Sequence, residues 1–175
     1  CRRGTSRPKS IGDIAAKPIR SGRQMPSLEL AQLNIALMKE PLESPGMSEF
    51  VANLDRINAL AENSPGFVWR LQTDDGDATA LRPMGPEVLV NLSVWRDVES
   101  LRQFVYATAH VEIMRRRHSW FERMSEAHLV LWWVPAGHRP TLAEASERLN
   151  QLRSAGPSPA AFNFREVFAA PAASV

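Results

Sequence analysis

The chain has 175 residues, 44% of them apolar and 23% charged, enough for one domain with a substantial core. No apolar run approaches the roughly 18 residues that a membrane span needs, and the single cysteine, Cys1, leaves no internal disulfide framework or cysteine zinc site and fits a reducing, cytoplasmic setting. The net charge of +2 hides a split: residues 1–24 hold seven Lys and Arg against one Asp, whereas the remainder holds 14 bases against 18 acids, so the domain is mildly acidic and nucleic acid is not an expected partner.

Residues 1–24 are rich in Arg, Ser, Gly and Pro, show no helical period and lack the apolar stretch of a secretory or twin-arginine signal. They read as a disordered basic leader, with Met25 as the native start, one domain over 25–168 and a frayed Ala-rich tail over 169–175. Leu28–Leu37 alternates, with Ala31, Leu33, Ile35 and Leu37 on one face and Gln32, Asn34 and Ala36 on the other, the pattern of a half-buried strand. Ser44-Pro45 supplies an N-cap and a first-turn proline for a helix over Gly46–Asn63, whose face carries Phe50, Val51, Leu54, Ile57 and Ala61. Ser64-Pro65-Gly66 ends it, and Phe67–Gln72 reads as a second strand. After the turn at Asp74-Asp75-Gly76-Asp77, a short strand over Ala78–Arg82 is compatible with an otherwise irregular stretch.

Glu87–Trp95 is the clearest strand, with Val88, Val90, Leu92 and Val94 on an aliphatic face and Leu89, Asn91, Ser93 and Trp95 on a mixed one. Asp97 caps a helix bearing Val98, Leu101, Phe104, Val105 and Thr108. Helical spacing continues over His110–Met124, with His110, Ile113, Met114, Arg117 and Phe121 on one side, as one bent helix or two. His128–Val134 is the next strand. Thr141-Leu142-Ala143-Glu144 is a capping box for a helix to Ala155, with Leu142, Ala145, Leu149 and Leu152 inward and Gly156 beyond its end. Phe162–Phe168 reads as an edge strand.

The order contains a βαββαβ core, which predicts a ferredoxin-like α+β fold, an antiparallel sheet with helices on one face, extended by a C-terminal helix and strand. The polar-aromatic face formed by Gln32, Asn34, Asn91, Ser93 and Trp95 suits a second copy of the chain better than bulk water, which predicts a homodimer through the sheet.

The stretches AQLNIALMKEPLESPGMSEFVANLDRINALAENSPGFVWRLQ, VLVNLSVW, FVYATAHVEIMRRRHSWFERM and HLVLWWVPAGHRPTLAEASERL resemble a bacterial family known as domain of unknown function 3291, over about Leu28 to Phe168. More distantly, the domain is similar to the dimeric α/β-barrel group that holds the antibiotic-biosynthesis and heme-degrading monooxygenases. That resemblance implies two ferredoxin-like subunits joined through their sheets, with a pocket between sheet and helices in each. It implies no cofactor for the cofactor-free branch and heme for the other. The heme-degrading branch places an Asn on the first strand, a Trp in the helical region and a His on the helix. Asn34 matches the first by position, His110 lies in the right region at a different offset, and Phe104 stands where the Trp would be.

Several polar and aromatic residues are candidates for chemistry, each with a structural role to weigh against it. His110, with Tyr106 one turn before and Met114 one turn after, suits a general base or ligand in a pocket, or a core histidine satisfied by a neighbour. Asn34 and Asn91 can hold a carbonyl or oxyanion, or pin each other across the sheet. Arg70, mid-strand, suits a bidentate carboxylate clamp or an ion pair. Trp95, Phe104, Met114 and Trp133 offer an apolar lining, though core packing also accounts for such residues, and only one of the adjacent Trp132 and Trp133 can face a pocket. In the run Arg115-Arg116-Arg117-His118 the helical face selects Arg117 as the inward member. The four histidines form no helical metal pair, and no phosphate loop or nucleophile elbow is present in the sequence. The expected function is therefore a small-molecule enzyme of monooxygenase-like type, with His110 and Asn34 catalytic. Arg70, Asn91, Trp95, Phe104, Met114, Arg117 and Trp133 would bind an apolar or aromatic substrate. The alternative is a non-catalytic dimeric module for a small ligand or heme.

Overall fold

The computed structural model describes residues 27–74, 76–107 and 110–171. The leader expected over 1–24, Thr108 and the last four residues of the tail lie outside the described residues.

Four strands, β1 (Leu28–Leu37), β2 (Phe67–Arg70), β3 (Val88–Trp95) and β4 (Leu129–Pro135), form one antiparallel sheet in the order β2-β3-β1-β4. Helix α1 (Ser48–Glu62) joins β1 to β2, α2 (Val98–Ala107) and α3 (His110–Trp120) join β3 to β4, and α4 (Leu142–Ala155) follows β4. This is the expected α+β, ferredoxin-like arrangement with an added C-terminal helix. β1 and β3 are the two interior strands, and β1 pairs Leu30 with Trp95 and Asn34 with Asn91 on one side and Asn34 with Leu129 on the other.

Local chemistry fixes the helix ends. Asp97 Oδ1 accepts from the Ser100 backbone N–H at 2.7 Å at the start of α2. Thr141 Oγ1 accepts from the Glu144 N–H at 3.1 Å at the start of α4, and Gly156, at φ +77°, closes its end. Gly66 (φ +84°) sits so close to Ser100 that a Cβ there would lie 2.2 Å from its Oγ, which pins the α1–β2 turn against α2.

Alternate residues of the strands feed two separate cores. Ala31, Leu33, Val94, Val130 and Trp132 point to one face and pack under α4 through Ala145, Leu149 and Leu152. Leu71, Leu81 and Met84 of the β2–β3 connection cover the remainder of that face. The opposite face carries Leu30, Trp95 and Leu131 and is roofed by α1 and α2 through Ala61, Leu101 and Phe104. A third cluster of Met38, Met47, Leu89, Trp120 and Phe121, with Phe50 against both rings, ties the start of α1 to the end of α3.

Four expectations are corrected. The polar-aromatic face is not left bare for a second copy to cover: the chain's own α1, α2 and α3 lie over it, and α4 packs on the aliphatic face. Among the described residues the exposed large apolar side chains are the scattered Val51, Tyr106 and Val167. Helix α1 is preceded by a single 3-10 turn over Pro45–Met47, a common form of helix start, and the Ser44 side chain makes no cap. Ala78–Arg82 forms no strand, since Thr79 bonds locally to Asp77 and Arg82 reaches the carbonyls of Thr79 and Pro86. Phe162–Phe168 makes only isolated bridges, Leu131 with Phe162 and Asn163 with Glu166, because the Asn163 side chain captures the backbone N–H groups of Arg165 and Glu166 and turns the chain.

Candidate functional site

The roofed face of the sheet does not fill. Between it and α1–α3 lies a cleft of about 880 Å³, continuous with a smaller lobe of about 160 Å³ under α1 and α3. The first volume falls at the upper end of the range of small-molecule sites.

The floor comes from β1 and β3. Their polar residues sit on it because the period of two places Gln32 opposite Ser93 and Asn34 opposite Asn91 on one face. At the inner part of the floor the polar atoms satisfy one another. Trp95 Nε1 donates to Ser93 Oγ at 2.9 Å, Ser93 Oγ donates to Gln32 Oε1 at 2.9 Å, and Gln32 Nε2 donates to the Asn91 carbonyl at 3.3 Å. The carboxamides of Asn34 and Asn91, further along, make no side-chain hydrogen bond within the described protein, and Asn91 is exposed although it lies mid-strand. Two solvent-accessible amides without a protein partner on the floor of a concave site are capacity for a ligand's polar atoms.

One wall is aromatic. Trp95 and Phe104 stack with centroids 5.1 Å apart, and Phe67 meets the Trp95 ring edge-on at 5.3 Å. The other wall is α3, which presents His110, Met114 and Arg117 to the cleft at the i, i+4, i+7 spacing of one helical face. The His110 ring packs 4.8 Å from Phe104, and its Nδ1 lies 3.5 Å from the Val105 carbonyl. Burial pushes its pKa below the ordinary 6.5, the Val105 carbonyl opposing this more weakly. The imidazole is therefore neutral near pH 7. The Nδ1–H tautomer that suits the Val105 carbonyl makes Nε2 the basic nitrogen.

Arg70 reaches the cleft from β2, where Arg70 pairs with Ser93. It is already engaged, with Nε donating to Glu62 Oε1 at 2.8 Å. Arg117, half-buried at the far end, lies 3.5 Å from Nε2 of His128. His128 is also held below its ordinary pKa, chiefly by burial, with the charges of Arg117 and Arg153 adding to the effect and its contact with the Glu126 carbonyl opposing it.

Of the expected site residues, His110, Asn34, Arg70, Asn91, Trp95, Phe104, Met114 and Arg117 come together around the cleft. Trp133 does not. It lies on the same sheet face, but Phe162 covers its ring and its indole N–H donates to the Phe168 carbonyl at 2.9 Å, so the segment after α4 occupies the space a ligand would need. Trp132 turns to the opposite face and donates to Glu144 Oε1 at 2.9 Å. Gln32 and Ser93, readable only as polar face residues, form the buried relay. Asn58 and His128 join the lining without any sequence signal that singles them out. Among the described residues no group of three or more His, Cys, Asp or Glu can hold a metal ion.

The family model described as Domain of unknown function (DUF3291) matches residues 29–175. No curated protein matches the chain. Among solved structures, the chain is similar to SnoaB, a cofactor-independent oxygenase from Streptomyces nogalater, at 20% identity over 65% of this chain and 96% of that one, with a TM-score of 0.39. It is also similar to a conserved protein from Methanosarcina mazei (15% identity, 62% and 93%, TM-score 0.45) and to a protein of unknown function from Nitrosomonas europaea (12% identity, 67% and 97%, TM-score 0.41).

Proposed function

The chain belongs to the DUF3291 family, and from that premise we propose that it is a small-molecule enzyme of the cofactor-independent monooxygenase type, acting on an aromatic carbon acid held between the sheet and α1–α3. One observation supports the reading: a half-buried His110, its pKa held below the ordinary value by burial, shares an aromatic-walled cleft with the carboxamides of Asn34 and Asn91, which make no side-chain hydrogen bond within the described protein.

These groups supply the minimum machinery for such a reaction. His110 takes a proton from the substrate carbon, and the carboxamide N–H groups hold the enolate oxygen that carries the resulting charge. A base with a lowered pKa is weak, so the carbon acid must be acidic in its own right, which selects a carbanion spread over phenolic rings. That carbanion passes an electron to dioxygen, the radical pair combines to a hydroperoxide, and loss of water leaves a ketone. In balance, a CH2 group and O2 become a C=O group and H2O. Trp95, Phe104 and Met114 hold the rings.

Oxygen uptake with a hydroxylated anthrone as the probe tests this. One O2 consumed per anthrone is expected, with His110→Ala lowering kcat by about 10²–10⁴-fold. Asn91→Ala should lower it by about 10²–10³-fold and leave the unfolding midpoint in place. Uptake no faster than in buffer, or undiminished in His110→Ala, overturns the reading.

The alternative, a non-catalytic ligand or heme module, rests on the same nitrogen, because an Nδ1–H bonded to a backbone carbonyl orients a histidine for ligation through Nε2. His110 would then be the residue that holds the iron. A hemin Soret shift lost in His110→Ala, without oxygen uptake, favours it.

A further inference from the structure

The cleft is cationic in a domain that is not. Outside the first 24 residues acids outnumber bases, 18 to 14, yet among the described residues the lining of the larger part carries Arg70, Arg117, Arg123 and Arg165 against one acid, Glu126, and the smaller lobe adds Asp77, whose Oδ1 is engaged by Thr79. Glu126 is engaged by Arg153 at 3.4 Å, and Arg70 is engaged by Glu62 at 2.8 Å. Arg117 has no carboxylate partner among the described residues. It is half-buried, and its guanidinium lies 3.5 Å from the His128 imidazole. A half-buried guanidinium facing an imidazole rather than an acid leaves a charge for a ligand to neutralise.

The strands give this charge a position. Trp95 stands level with Leu30 on β1, whereas His128 adjoins Ile35, its carbonyl accepting from the Ile35 N–H at 2.8 Å. At about 3.3 Å per residue, the strand positions that mark the aromatic wall and the arginine end are roughly 16–17 Å apart along the floor. On α3, Arg117 lies seven residues beyond His110, about 10 Å along the helix axis. An elongated molecule with rings at one end and a negative group at the other fits that layout.

We propose that the ligand is an extended aromatic carboxylate, whose rings lie against Trp95 and Phe104 and whose carboxylate pairs with the Arg117 guanidinium at the opposite end of the cleft. This rests on the reading of the cleft as an aromatic-substrate site and adds the substrate's charge. Arg117 rather than Arg70 is the partner, because Arg70 already spends its Nε on Glu62. The planar guanidinium favours a carboxylate's paired oxygens over a single neutral acceptor.

The test uses 2-anthracenecarboxylate and its neutral analogue 2-anthracenecarboxamide, followed by anthracene emission on titration with the full chain. The acid is expected to bind at least about tenfold tighter than the amide. Arg117→Met should abolish that preference while leaving the amide's Kd within about twofold. Arg117→Lys, which keeps the charge without the fork, should retain part of the preference, and it serves if far-UV circular dichroism shows the Met variant unfolded. Equal binding of acid and amide to the wild type, or a preference unchanged in the Arg117 variants, overturns this inference alone. Failure of both compounds to bind overturns it together with the aromatic-substrate reading.

Discussion

The two faces of the sheet are made from alternate residues of the same strands, and they end in opposite states. On the face under α4, Ala31, Leu33, Val94, Val130 and Trp132 are completely buried, and the one polar atom of Trp132 finds Glu144. On the face under α1–α3 the inner polar atoms satisfy one another through the Trp95–Ser93–Gln32 relay, and the floor beyond them keeps two amides without a protein partner. Both faces have helices over them. Aliphatic side chains close against a helix by interdigitating, whereas carboxamides and guanidinium groups hold the roof off. The face under α4 is closed throughout, whereas the other combines a closed part around Leu30, Leu131 and Phe162 with the cleft and its binding capacity.

The sharpest way to break this comparison is Trp132→Ala. It removes the largest fully buried side chain of the closed face and the indole hydrogen bond to Glu144, which keeps His138, and should cost about 3–5 kcal/mol in urea unfolding. A cost below about 1 kcal/mol would mean that the closed face does not depend on Trp132.

Ser93→Ala probes the satisfied part of the open face. It leaves the buried Trp95 N–H without its acceptor and Gln32 Oε1 without its donor, an expected loss of about 1–3 kcal/mol. A neutral result would show that the indole finds another acceptor and that the relay is not holding Trp95.

The smallest effect is in pH. His110 and His128 titrate below 6.5 in the folded chain, so between that value and their folded values the unfolded chain binds protons that the folded chain does not. Stability should therefore fall as pH drops below about 6.5, and His110→Gln should make the fall shallower. A midpoint series between pH 5 and 8 reads this directly, and an unchanged slope in the variant would assign the dependence elsewhere.

The sequence made β1, β3, α4 and its capping box legible to within a residue, because each is written in an unbroken period with a clear start and stop. Which face receives the helices was not legible. Alternation shows that two faces differ, but not which one each connection crosses. The cleft side of Arg70 was hidden by one residue: a register shift between Phe67 and Trp69 opposite β3 puts Phe67 and Arg70, three apart, on the same face. A strict period of two would have sent Arg70 to the other side. Trp133 misled for a different reason. Its face was open to a pocket in the strand pattern, and the cover arrives from Phe162 and Phe168, some thirty residues later. Arg117 and His110 were recoverable because a helical face carries its own bookkeeping of inward positions.

The placement of the tryptophans has a practical consequence. The chain's five indoles are distributed rather than clustered: Trp95 stacks on Phe104 in the cleft with its N–H on a hydroxyl, Trp132 lies sealed on the opposite face with its N–H on a carboxylate, and Trp120 sits between α1 and α3 beneath the Arg116 guanidinium. Intrinsic fluorescence thus comes from separately addressable stations. With Trp95 as the sole emitter, occupancy of the cleft becomes an optical signal; with Trp132 as the sole emitter, the same experiment tells whether the news crosses the sheet.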